Sequence, residues 1–189
     1  MLKQFSDWLY TITTGWLTIL AVIVFILFSA LVLPGQSRSA PQTEAGTPDL
    51  SFYYPAQELY HMAEALGQAG REAYIRARFT FDLVWPLVYT FLLVITISWV
   101  YQRVVAAESP WRLINLLPIL GMCGDYLENI STSIVMWRYP LSTFVLDWMA
   151  GVFTALKWLL IAGSFAGLLA GIILLIFQII TRDRGVEPE

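Results

Sequence analysis

Residues 111–137 read WRLINLLPILGMCGDYLENISTSIVMW, an apolar run closed by a tryptophan at each end and interrupted by polar residues at mid-length. As a helix rising 1.5 Å per residue it exceeds the roughly 30 Å of a bilayer's hydrocarbon core. Inside it stand Asn115, Asp125, Glu128, Asn129 and Thr132. The last four are spaced by three, four and seven positions and share one helical face. A charge at the centre of a span costs about 2.5–3.5 kcal/mol on insertion scales. Lipid would not tolerate such a face, so it must be covered by other helices. The stretch therefore calls for an all-α, polytopic bundle rather than a lone anchor.

The rest of the chain supplies the other helices. Three further runs are long and apolar enough: about residues 16–33, ending at Pro34-Gly35, residues 79–101, and residues 155–180. Lipid forces each to be helical, because backbone polar groups must be satisfied within the segment. The expected fold is a four-helix transmembrane bundle in one membrane domain, with an outer segment over 34–78 between spans one and two. The first run exceeds the 7–15 apolar residues of a signal peptide, and Arg38 occupies the −3 position of the nearest small-residue exit, which favours an uncleaved anchor. Residues 147–180 would form a helix of about 51 Å, so their first turns are expected outside the membrane or among the headgroups.

Composition agrees. Of 189 residues, 58% are hydrophobic and 13% charged, against about 25% charged in soluble domains, and the mean hydropathy is +0.65. With 11 basic and 14 acidic residues a nucleic-acid partner is not expected. One cysteine excludes an intrachain disulfide framework and a Cys-based zinc site, and one histidine speaks against a multi-His metal centre. No metal and no cofactor are expected. Asn129-Ile130-Ser131 matches a glycosylation acceptor but falls inside a span.

Basic residues in short flanks set orientation. Lys3, Arg103, Arg112, Arg182 and Arg184 favour both termini inside a bacterial cytoplasmic membrane; Arg71, Arg76 and Arg78 belong to a long loop, which weighs less. Trp16, Trp85, Trp99, Trp111, Trp137, Trp148 and Trp158 fall where span boundaries are expected.

The outer segment begins with the Pro-, Gly- and Ser-rich stretch 34–50, read as a linker. From Pro55, Leu59, Met62, Ala63 and Leu66 recur at helical spacing until Gly67, and a second short helix from about Ala69 carries Arg71, Arg76 and Arg78 toward span two. This is a helix lying on the membrane surface or a lid over a cavity.

Span two adds Asp82, Pro86 and Tyr89, with Asp82 and Tyr89 on one face. Together with Asn115, Asp125, Glu128, Asn129 and Thr132 they are expected to line a ligand-binding pocket open to the outer side. Asp125 would be its floor and Lys157 its counter-ion. The charge left over falls to Arg76, Arg78 or Arg138, to protonation, or to a bound cation. In the last span Gly163, Gly167 and Gly171 form a small-residue series for close helix packing, within the chain or in a homodimer.

Gly67-x-x-Gly70-Arg71-x-x-Tyr74, Asp82-x-x-x-Pro86-x-x-Tyr89 and Asp125-x-x-Glu128-Asn129 resemble an uncharacterised bacterial four-span integral membrane protein family over about residues 52–130. In architecture alone the chain is similar to the emopamil-binding and sigma-2 receptor group. That resemblance implies acidic residues facing a lipophilic cavity, with Asp125 and Glu128 as candidate catalytic proton donors. Three functions follow as expectations: a protein binding a lipophilic or cationic small ligand or an ion in an acidic intramembrane pocket, an enzyme acting on a membrane lipid through Asp125 and Glu128 as acid and base, or an assembly subunit.

Overall fold

The computed structural model describes residues 1–35, 48 and 51–184. Among the described residues the α-helices include, in order, α1 (Leu2–Ile12), α2 (Gly15–Leu31), α3 (Ala56–Arg78), α4 (Phe81–Val104), α5 (Leu117–Arg138) and α6 (Leu146–Arg184), with a 3-10 turn over Pro110–Leu116 leading into α5. Among the described residues no strand occurs. Most of the expected linker 34–50 lies outside the described residues.

Three stretches are long and apolar enough to cross a membrane: Gly15–Gly35, one within Ala56–Val104, and Leu146–Arg182. The chain is a membrane protein by that measure. Residues 117–138, the expected third span, are not among the three, because Asp125, Glu128, Asn129 and their hydroxylic neighbours lower their hydropathy. Their surface has the pattern a bilayer demands all the same. Leu120, Cys123, Leu127, Ile130 and Trp137 are exposed along one side of α5. Gly121, Gly124, Asp125, Glu128, Asn129 and Thr132 are buried on the other. Apolar outside and polar inside inverts the arrangement of a water-soluble helix.

α4, α5 and α6 form the centre, with α6 packed chiefly against α5. α2 lies along α4, where Phe28 stacks on Phe81 and Trp85 with ring centroids 5.9 and 5.8 Å apart. Residues 147–180 belong to one continuous helix of 39 residues, about 58 Å long.

Two elements depart from the reading of the sequence. The first is α1, at residues to which that reading assigned no helix. It is amphipathic: Ser6, Leu9 and Tyr10 are buried, whereas Leu2, Phe5, Trp8 and Ile12 are exposed. Its inner face is bonded to the 3-10 turn, with Ser6 Oγ donating to Asn115 Oδ1 at 2.8 Å and Tyr10 Oη donating to the Arg112 carbonyl at 2.8 Å.

The second is α3, which lies against the bundle. Leu59, Met62, Ala63 and Tyr74 join Tyr54, Val135, Met136 and Ala150 in a buried cluster capping α5 and α6. The break at Gly67 is present, with φ 63° and ψ 178°, a conformation open almost only to glycine. In the turn before the break, Arg71 Nη1 donates to the Ala63 carbonyl at 2.9 Å. Arg71 also lies over the Tyr139 ring, 4.6 Å from its centroid. The break turns the chain so that residues 68–78 descend onto α5 and bring Arg78 to the polar face.

Candidate functional site: a buried ionic cluster

The site assembles where the end of α3, the start of α4, the middle of α5 and Lys157 of α6 meet. Arg78 ends α3 and Asp82 lies in the first turn of α4, so each charge opposes the dipole of its own helix end. Their side chains pair at 2.7 Å between Nη1 and Oδ2. Arg78 also donates to Asn129 Oδ1 at 3.4 Å and lies 4.2 Å over the Tyr74 ring. Asn129 Nδ2 donates in turn to Asp125 Oδ1 at 3.3 Å, one helical turn back along α5. Tyr89 Oη donates to the other oxygen of Asp125 at 3.0 Å. Lys157 Nζ then lies 3.7 Å from Asp125 Oδ1 and 2.5 Å from Glu128 Oε2.

These contacts make one continuous polar path: Asp82, Arg78, Asn129, Asp125, Lys157, Glu128. Four of its five charged members are deeply enclosed, with relative exposures of 1% for Glu128, 6% for Lys157, 7% for Arg78 and 8% for Asp125, while Asp82 is half-buried. Charges so placed persist only when paired and hydrogen-bonded. Of the three arginines considered as compensation, Arg78 enters the cluster, while Arg76 and Arg138 are exposed.

Small residues admit Lys157. A Cβ on Gly124 would stand 3.4 Å from Lys157 Cα and 3.4 Å from its backbone nitrogen; one on Gly121 would stand 3.2 Å from Ile161 Cγ1. The glycine pair on α5 lets the α6 backbone approach, so Lys157 meets the carboxylates without extending far along the bundle. The Gly121-x-x-Gly124 spacing was in the sequence, but in a span already rich in polar residues it carried no separate signal.

Two expected ligands lie apart in bonding. Asn115 belongs to the α1 junction, where Nδ2 donates to Ser98 Oγ at 3.1 Å. Thr132 Oγ1 donates to the carbonyls of Glu128 and Asn129 at 2.9 and 3.3 Å, within its own helix. The expected pocket open to the outer side is not among the cavities described, which measure about 320 and 670 Å³. The smaller lies beside Tyr60, His61 and Tyr139, and the larger beside α1. Among the described residues no group of three or more His, Cys, Asp or Glu is arranged to hold a metal ion.

The glycine series of α6 is covered by this chain. A Cβ on Gly171 would come within 2.6 Å of Tyr101 Cε2 and one on Gly163 within 3.7 Å of Leu117 Cδ1, while one on Gly167 would overlap Ile114. Tyr101 Oη donates to the Gly167 carbonyl at 2.9 Å. Those contacts are intrachain.

The three motifs noted in the sequence converge here. Gly67, Arg71 and Tyr74 shape and anchor α3, Asp82 and Tyr89 come from α4, and Asp125, Glu128 and Asn129 come from α5. The class defined is a helical membrane protein with a buried ionic cluster. No protein-family model, curated protein or solved structure matches the chain.

Proposed function

We propose that the chain is a four-span membrane protein, with α5 as the third span and both termini inside, whose buried cluster takes up and releases one proton. The observation that carries this reading is that the carboxylates of Asp125 and Glu128 both lie at Lys157 Nζ, 3.7 and 2.5 Å away, inside the bundle. Two carboxyl groups enclosed at one ammonium favour a proton shared between them. Their existing contacts with Lys157, Tyr89 and Asn129 favour the smallest cation. The path from Asp82 to Glu128 gives that proton an array of carboxylates to share, and the proton exchanges from the Asp82 end.

This narrows the ligand expected from the sequence from a lipophilic or cationic molecule to a proton. Infrared difference spectra of the purified chain in lipid, recorded between acid and alkaline pH, test it. The expected result is one protonated-carboxyl band per chain that titrates and is lost or shifted in Glu128→Gln or Asp125→Asn. Absence of any titrating carboxyl band would leave the cluster as helix-fastening alone, which is the assembly reading.

A further inference from the structure

Far from the ionic cluster, α1 and the end of α4 border the larger of the two cavities, an open cleft of about 670 Å³ lined among others by Asp7, Tyr10, Thr11, Gln102, Arg103 and Arg112. Asp82 and Arg103 stand at opposite ends of α4, roughly 32 Å apart at 1.5 Å per residue. That separation matches the thickness of a hydrocarbon core, so the cavity opens at the other membrane face.

Both arginines are held in place by the protein. Arg103 lies 3.7 Å over the Trp99 ring and donates through Nη1 to the Trp99 carbonyl. Arg112 donates to the Val105 carbonyl through Nε at 3.2 Å and Nη2 at 3.0 Å, and lies 4.7 Å over the Tyr10 ring. A guanidinium carries five N–H donors, so each keeps donors beyond these bonds. Two arginines against Asp7 give the cavity a net positive charge, and planar guanidinium donors suit the oxygens of a phosphate. Trp8 and Trp111, next in sequence to Asp7 and Arg112, are exposed, as interfacial tryptophans are.

We propose that this cavity holds the phosphate-bearing headgroup of an anionic phospholipid, with Arg103 and Arg112 on the phosphate. Asp7 accepts from a hydroxyl of the headgroup, and the acyl chains pass into the bilayer beside Trp8 and Trp111. The membrane is the source because the exposed tryptophans and the apolar face of α1 place the opening among lipids, where basic pockets between helices bind anionic headgroups.

Native mass spectrometry of the detergent-purified full chain, incubated with phosphatidylglycerol or phosphatidylcholine, tests this. Phosphatidylglycerol is expected to be retained preferentially. Arg103→Gln should reduce its retention about five-fold, the ratio corresponding to roughly 1 kcal/mol per basic residue at a membrane surface, and Arg103→Lys should reduce it less. Arg138→Gln, outside the cavity, should leave retention unchanged. A melting-temperature check on each variant separates lost binding from lost fold. Equal retention of the two lipids, or equal losses in Arg103→Gln and Arg138→Gln, overturns the proposal. Displacement of the lipid by millimolar glycerol phosphate or inorganic phosphate overturns the lipid assignment in favour of a soluble phosphate.

Discussion

Lys157→Met removes one charge while keeping an unbranched chain of similar length, so it isolates the ionic contribution at the centre of the bundle. In the native protein Nζ meets Glu128 Oε2 at 2.5 Å and Asp125 Oδ1 at 3.7 Å, with all three residues buried. Removing one partner of a buried ion pair costs about 3–5 kcal/mol, because the surviving charge is left enclosed. The burden falls unevenly. Asp125 keeps donors from Tyr89 and Asn129, whereas Glu128 loses its closest cation. Adding Glu128→Gln to Lys157→Met should therefore recover at least half the loss, and adding Asp125→Asn should recover less. Reversible unfolding in mixed detergent–SDS micelles, followed by tryptophan fluorescence, supplies the free energies. A loss below about 1 kcal/mol for Lys157→Met, or no recovery in the double variant with Glu128→Gln, would refute the assignment of Lys157 as the balancing charge.

Gly67→Ala places a Cβ in free space but at φ 63° and ψ 178°, and should cost about 1–3 kcal/mol. Faster amide exchange in residues 56–66 and a lower melting temperature are the readouts, and an unchanged protein would argue for a continuous α3. Gly167→Leu should destabilise by about 1–3 kcal/mol or more through overpacking on Ile114. Gly163→Ala, which meets only Leu117 Cδ1 at 3.7 Å, should be neutral or stabilising by up to about 1 kcal/mol; equal effects from the two would discount the close approach. Burial pushes the Tyr10 phenol above its ordinary value of 10.0, against the opposing pull of Arg112. Above pH 10 the unfolded chain loses this proton while the folded chain keeps it, so stability falls as pH rises. Tyr10→Phe should flatten that alkaline decline, measured as melting temperature against pH, and an identical slope would show that Tyr10 is not the group responsible.

The apolar runs of α2, α4 and α6 were legible because lipid imposes a length and composition that few other environments require. The inward polar face of α5 was legible for the same reason, since its three-, four- and seven-residue spacings leave no lipid-compatible alternative. The break at Gly67 was also readable from the end of the apolar periodicity. α1 was not, because eleven residues are too short to span a membrane and no helix was assigned ahead of the first hydrophobic run. The choice of Arg78 over Arg76 and Arg138 depends on how Gly67 turns α3, a three-dimensional consequence that spacing does not encode. Asn115 was grouped with the acidic residues by sharing their segment. Its actual partners, Ser6 and Ser98, come from helices distant in sequence.

The chain order of the cluster has a bearing on how the protein is made. Asp125 and Glu128 are synthesised before Lys157, so in the proposed four-span arrangement α5 reaches the insertion machinery with two acidic groups whose closest cation still lies in the ribosome. Two such residues oppose entry of α5 by itself to the extent of about 5–7 kcal/mol if near the span centre. α6, with its long apolar run, has no such obstacle and brings the missing lysine. α5 and α6 should accordingly leave the translocon as a pair, the strongly hydrophobic helix carrying its polar neighbour into lipid. A chain truncated before α6 should leave α5 unintegrated.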